Sequence, residues 1–260
     1  QTGEYHSLTG NMSGCLLADY EIGQTKALKG LPDDGYLIKT IVTTNMADAI
    51  AKYYGTGLIE VLTGFKYIGQ QILGFEQSGK GEYLFGFEES YGCLIGTHAR
   101  DKDAIVATMA LCEAAAYYKS LNMTLWDAMV ALYEELGYFK DGIISFTMKG
   151  IDGLEKIQKI MNTLREEAPT EIGAHKVLAV RDYKTDTRRV LATGETMPSG
   201  LPQSNVLYYE LDDEAWCCVR PSGTEPKIKI YFGVKGSSFA DADEKSQKIG
   251  EALKEMIEQI

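Results

Sequence analysis

YLIKTIVTTNMADAIAKYYGTGLIEVLTGFKYIGQQI, Tyr36 to Ile72, changes its pattern three times in succession. The β-branched run YLIKTIV, Tyr36 to Val42, predicts a strand, and Asn45 then stands as N-cap before the helical MADAIAKYYG, which Gly55 stops. LIEVLT, Leu58 to Thr63, predicts a second strand, and Gly64 opens a helical pattern through Ile68 and Ile72. Strands separated by helices predict a sheet with helices packed on both faces, and the loops at its strand ends are where such folds place ligands.

Working outward, MSGCLLADY predicts a helix on the N-terminal side. On the other side YLFGF, Tyr83 to Phe87, predicts a strand, and Asp103 caps the apolar helix AIVATMALCEAAAYY. Thr124 and Asp127, in T-L-W-D, open a further helix that stops near Gly137. GYFKDG, Gly137 to Gly142, predicts a linker. Beyond it come a strand at Ile143 to Met148, a helix from Asp152 to Arg165, the strands KVLAV, NVLYYEL, AWCCVR and KIKIYF, and a polar helix from about Phe239 to Ile260. This second pattern predicts an α+β unit with helices on one face of a largely antiparallel sheet.

The 260 residues suit two compact units, at roughly 150 residues each. No apolar run approaches the ~20 residues of a membrane span, and QTGEYHSLTGNMSG lacks the marks of a signal peptide. The expectation is a cytoplasmic chain with no membrane partner. Because it begins without Met, it also reads as a piece of something longer. Cys15, Cys93, Cys112, Cys217 and Cys218 show no C-x-x-C spacing, which points to a reducing compartment, and the scattered His6, His98 and His175 predict no metal site. A net charge of -11 argues against a nucleic-acid partner, so any bound anion must be held locally.

Three stretches at predicted strand ends carry chemistry. In LTGFKY, Thr63 and Gly64 turn a strand into a helix whose free N-H groups, with Lys66 beside them, suit an anion or a hydroxyl; an ordinary strand-to-helix turn has the same sequence. In GFEESYG, Glu88, Glu89 and Ser90 gather the acceptors and hydroxyl that would bind the vicinal hydroxyls of a sugar, or form a solvated acidic turn. The charged THARDKD follows, with His98, Arg100 and Lys102. In RPSGTEPKIKIYF, Arg220 offers a bidentate fork, Ser222, Gly223 and Thr224 can present consecutive N-H groups and two hydroxyls, and Pro221 and Pro226 stiffen the loop. A Gly/Pro turn between strands explains the turn residues but not the clustered basic and hydroxyl ones.

LTGFKYIG, GFEESYG followed by RDKD, and RPSGTEPKIKIYF, in this order, resemble the α-D-phosphohexomutase family of phosphoglucomutases and phosphomannomutases. GFEESYG is most similar to the branch of bacterial phosphoglucomutases and the phosphoglucomutase-2 or phosphopentomutase type. The resemblance implies four domains, the first with a phosphorylated serine in a T-x-S-H-N-P-type loop and the second with a Mg²⁺-holding D-x-D-x-D-R loop. Neither run occurs in these residues, and LTGNMSGCLLADY resembles the connection after the metal loop. The chain is therefore expected to be domain three, residues 1–138, a Rossmann-like mixed-sheet α/β domain, followed by domain four, residues 139–260, a smaller α+β domain of TATA-binding-protein-like topology.

The resemblance further implies transfer of a phosphoryl group between the C1 and C6 hydroxyls of a sugar through a bisphosphorylated intermediate, with a glucose 1,6-bisphosphate-type activator. It implies Lys102 as the catalytic residue, and Glu88, Ser90, Thr63, Gly64, Lys66 and Arg100 as substrate-binding. Arg220, Ser222, Gly223, Thr224 and Lys229 would hold the phosphate. Mg²⁺ would be bound elsewhere in the full-length enzyme, and the missing N-terminal domains would be partners of this half, which alone would be inactive. Phe87 stands where many relatives have Gly, and Phe65 where some have Trp or His, positions that bear on glucose, mannose or pentose preference. A stand-alone phosphosugar-binding or regulatory module, or a phosphopentomutase of the same family, are the alternatives.

Overall fold

The structure is a computed structural model that describes residue 3 and residues 5–148, 151–223 and 225–260. It forms two compact units, Gln1–Gly137 and Tyr138–Ile260.

The first unit runs α1 (Gly10–Lys29), β1 (Gly35–Thr40), α2 (Met46–Tyr54), β2 (Gly57–Val61), α3 (Phe65–Ser78), β3 (Glu82–Phe87), β4 (Cys93–Leu94), α4 (Ala104–Ser120) and α5 (Leu125–Leu136). The sheet order is β2-β1-β3-β4, parallel except for the short antiparallel β4, so the unit is α/β with a mixed sheet. β1 and β3 are largely buried on both faces, whereas the edge strand β2 is half-buried except at Val61. Phe65, Ile68 and Ile72 of α3 pack with Ile38, Val61, Tyr83 and Leu94, each full burial of such a side chain being worth about 1.5–3 kcal/mol. On the opposite face lie α1 and α2, and a Cβ on Gly14 of α1 would stand 2.1 Å from the Phe87 ring.

The caps on α4 and α5 form as the sequence predicts. Asp103 accepts from the Ile105 and Val106 N-H groups at 2.9 and 3.0 Å, and Thr124 and Asp127 cap reciprocally. Asn45 does not cap α2 through its side chain. Its Oδ1 accepts instead from Lys39 Nζ at 2.8 Å, because Lys39 is fully buried and also reaches Asp48 at 2.5 Å. An unpaired ammonium there would cost several kcal/mol, more than one cap.

The second unit runs β5 (Tyr138–Thr147), α6 (Ile151–Glu166), β6 (Glu171–Ile172), β7 (His175–Asp182), β8 (Thr187–Val190), β9 (Thr196–Met197), β10 (Leu207–Leu211), β11 (Trp216–Pro221), β12 (Lys227–Gly236) and α7 (Phe239–Glu258). The expected linker Gly137–Gly142 is mostly strand: β5 starts at Tyr138 and pairs along its whole length with β12. The sheet is antiparallel, in the order β5-β12-β11-β10-β7-β8-β9, with β6 on β7. Alternate residues Leu207, Tyr209, Cys217, Val219, Ile228 and Ile230 face α6 and α7, whose Ile160, Leu164, Ile249 and Leu253 complete the core. Helices cover one face, the α+β arrangement that the sequence predicts. No helix of the described residues is long and apolar enough to cross a membrane.

Candidate functional site

β3 ends in a loop that folds back on itself. The Glu88 N-H donates to Gly92 O at 2.7 Å, and the Glu88 side chain is 8% exposed while Ser90 is exposed. Tyr91 sits at φ +66°, uncommon for a bulky residue, and its hydroxyl donates to Leu8 O at 3.1 Å.

Lys102 arrives over this loop. Its Nζ lies 2.8 Å from Asp101 Oδ1, 3.9 Å from Glu88 Oε2 and 5.4 Å from the centre of the Phe65 ring. Hydrogen bonds from the Lys102 side chain and backbone hold the Asp101 carboxyl below the usual range. Gly92 makes room for this arrangement, because a Cβ there would stand 2.3 Å from Lys102 Cδ and 3.0 Å from Glu88 Oε2. Beside it a cavity of about 220 Å³ opens between α1, the end of β3 and the start of α4, lined among others by Gly10, Phe87, Glu88, Gly92 and Thr108.

Phe65 is also the first residue of α3, so the LTGFKY turn adjoins the same lysine. Gly64 takes φ +125°, open to glycine, and no side chain caps α3. Thr63 Oγ1 is shielded from solvent without a hydrogen-bond partner, an unmet demand that a ligand hydroxyl or anion would satisfy. Lys66 is exposed, its ammonium 4.8 Å from the centre of the Tyr67 ring. Arg100 is tied elsewhere. It donates to both Glu76 oxygens, at 2.5 and 2.6 Å, and to Thr97 O and Ala99 O.

In the second unit Arg220 and Lys229 are register partners on β11 and β12, and Ser145 lies opposite Lys229 on β5. All three alternate with the core positions, so they stand on the sheet face away from α6 and α7. Lys227 pairs with Glu225 at 3.0 Å, but among the described residues neither Arg220 nor Lys229 makes an ion pair. Like charges directly opposite on adjacent strands repel, and an anion would relieve that. The loop between them is held from within: the Glu225 N-H donates to Ser222 Oγ at 3.3 Å. The Ser222 N-H donates to Lys227 O at 2.8 Å, so it is not free for an anion as expected from the sequence, because the ladder extends one residue further. Nothing lies within 4 Å of a Cβ built on Gly223. Thr224 lies outside the described residues.

Sequence reasoning missed the space that Gly92 leaves for Lys102, the place of Phe65 against that lysine and, away from this site, the grouping of His175 with Asp212 and Asp213. The glycine bracket of GFEESYG was the available signal for the first; the third left none, since its members are 37 residues apart.

Residues 9–136 match the family model for the phosphoglucomutase/phosphomannomutase α/β/α domain III, and residues 154–247 match that for the C-terminal domain of the same family. A phosphoglucomutase of Staphylococcus epidermidis is 37% identical over 251 residues, covering 96% of this chain and 44% of that protein. One of Staphylococcus aureus is 37% identical over 243 residues, covering 94% and 43%. Among solved structures, parafusin, a phosphoglucomutase of Paramecium in its open form, aligns with a TM-score of 0.58 at 16% identity over 96% of this chain and 42% of that one, which shows a shared fold. The chain spans less than half the length of the curated relatives it matches. Matched in both of its units, it belongs to the phosphoglucomutase/phosphomannomutase family.

Proposed function

We propose that this chain is the substrate-holding part of a longer phosphohexomutase, which moves a phosphoryl group between the C1 and C6 hydroxyls of a phosphorylated hexose, or acts likewise on a pentose. The unneutralised pair Arg220 and Lys229 carries the reading: a chain of net charge -11 leaves two cations side by side, with no acid among the described residues to pair with them. They, with Ser222, Gly223 and Thr224, hold the phosphate that does not react. Several charge-assisted hydrogen bonds of about 1.5–3 kcal/mol each suffice for that.

Glu88 and Ser90 take sugar hydroxyls. A carboxylate accepts equally from either of two hydroxyls, as a sugar that binds in two orientations requires. Thr63 and the uncapped start of α3, with Lys66, take further polar groups of the substrate. Lys102, held by Asp101 and over Phe65, offsets charge on the transferring phosphoryl group or passes a proton. Arg100 would bind substrate only by giving up Glu76. The Mg²⁺ of such an enzyme finds no D-x-D-x-D-R run in these residues, and the phosphoserine loop is likewise absent, so both belong to the remainder of the polypeptide. The chain would also take a glucose 1,6-bisphosphate-type activator, and its free cysteines fit a reducing cytoplasm.

Calorimetry with glucose 1-phosphate, glucose 6-phosphate and inorganic phosphate, beside a mutase assay, tests this. The 260-residue chain should bind the sugar phosphates without turning them over. Turnover by the chain alone, or no binding of any phosphosugar, would sink the assignment.

A further inference from the structure

The β10–β11 hairpin closes on Asp212, Asp213 and Glu214, with Asp213 and Glu214 at φ +53° and +58°. The Leu211 N-H donates to Ala215 O and the Ala215 N-H to Asp212 O, each at 3.0 Å. This turn is stitched to the start of β7, where the Asp212 N-H donates to Lys176 O at 3.0 Å and the Lys176 N-H to Asp212 Oδ1 at 3.1 Å. His175 opens β7 straight after the tight turn from β6, so its imidazole is delivered to the same place. That side chain is 9% exposed, and its Nδ1 lies 3.1 Å from Asp212 Oδ1. Asp213 adds a second, exposed carboxylate. One donor atom from each of the three lies within 4.8 Å of the others.

Bonds of roughly 2.0–2.2 Å from nitrogen and oxygen to zinc put neighbouring ligands of one ion about 3–3.5 Å apart. The 3.1 Å separation of His175 Nδ1 and Asp212 Oδ1 already meets that distance, and the exposed Asp213 has room to close the remainder. Lys235 is engaged by Glu214, and among the described residues Asp213 has no cation beside it. One nitrogen and two carboxylates suit a borderline transition metal, whereas Mg²⁺ and Ca²⁺ prefer oxygen alone. The Lys176 N-H on Asp212 Oδ1 supplies the orienting hydrogen bond that ligating carboxylates need.

We propose that His175, Asp212 and Asp213 form a binding site for a divalent transition metal, of which Zn²⁺ is the best match. The three side chains occupy one side of the ion, and water completes its shell. The site lies wholly in the second unit and is independent of the sugar- and phosphate-holding residues. Without a metal, the same His175–Asp212 hydrogen bond would merely staple two turns together, and the experiment separates these roles.

Zn²⁺ is titrated into the 260-residue chain carrying Cys112→Ser, which removes the exposed thiol as a competing ligand. Asp213→Asn in that background keeps the size of the side chain and tolerates the left-handed backbone, and it leaves the His175–Asp212 hydrogen bond in place. The expected result is one equivalent of saturable Zn²⁺ binding that resists excess Mg²⁺ and weakens at least about tenfold in Asp213→Asn. No saturable binding, equal binding by both proteins, or displacement by Mg²⁺ would each overturn the proposal.

Discussion

In the first unit Glu88 is folded beneath its own loop with an ammonium 3.9 Å away, whereas in the second Arg220 and Lys229 stand opposite each other with no acid paired to them among the described residues. The first arrangement is built in advance: Gly92 leaves the space, Phe65 supplies a ring, and Asp101 fixes the lysine. The second is held by the β11–β12 ladder and unsatisfied in charge. Reading the positions of hydroxyls demands geometry fixed before the ligand arrives, because small displacements lose directional hydrogen bonds. Holding a dianion demands mainly that cations not be spent on the protein's own acids.

Filling the space beneath Lys102 attacks the built half of this contrast hardest. Gly92→Ala places a Cβ 2.3 Å from Lys102 Cδ, so the lysine must leave its place near Glu88 and Phe65. With the remaining part of the enzyme supplied, mutase turnover should fall about 100-fold, as misplacement of a reacting group by about 1 Å does, while the chain binds inorganic phosphate as before. Undiminished turnover would mean that the resting position of Lys102 is incidental. The unsatisfied half is probed by Arg220→Ala. Loss of about 2 kcal/mol of charge-assisted bonding predicts roughly 30-fold weaker binding of sugar phosphate with an unchanged melting temperature, because the cation repels Lys229 more than it supports the fold. A large drop in melting temperature would make Arg220 structural instead. Glu88→Gln should act more gently, about tenfold on sugar phosphate and not at all on inorganic phosphate. Equal losses for both ligands would erase the distinction between the loops.

What the sequence revealed of this fold was whatever depends on near neighbours. The strands and helices of Tyr36 to Ile72 and the caps at Asp103 and Thr124 follow from periodicity and from residues three apart. GYFKDG resisted that reading because its glycines look like punctuation. Only pairing with a strand ninety residues on makes it β5, and Gly142 is there because a Cβ would stand 2.2 Å from the Phe232 ring. Asn45 carried a genuine cap signal that a buried lysine outbid. The candidate site divides in the same way. Its motifs are legible as strings, but the place of Phe65 under Lys102, the bond between Arg100 and Glu76, and the loss of the Ser222 N-H to the ladder all come from segments that meet only on folding.

The smallest expected effect concerns how the two units treat half-buried carboxyls away from their loops. Asp19 accepts from Tyr54 and Tyr118 at 2.7 and 3.0 Å, yet burial outweighs those bonds and pushes its pKa above the ordinary 3.8. Glu210 is pushed up by burial as well, but Arg188 and Arg181 more than compensate and hold it below the ordinary 4.5. The signs are opposite. A raised carboxyl contributes stability that is complete below its unfolded value and lost as pH rises through the folded one; a lowered carboxyl contributes stability present above its unfolded value and lost as pH falls through the folded one. Trp126 lies in the first unit and Trp216 in the second, so Trp→Phe backgrounds let urea unfolding be followed unit by unit by fluorescence. Asp19→Asn should remove a gain in first-unit stability on acidification, and Glu210→Gln a loss in the second. If both substitutions changed the pH slope in the same direction, the arginines would not be governing Glu210, and the two units would treat half-buried charge alike.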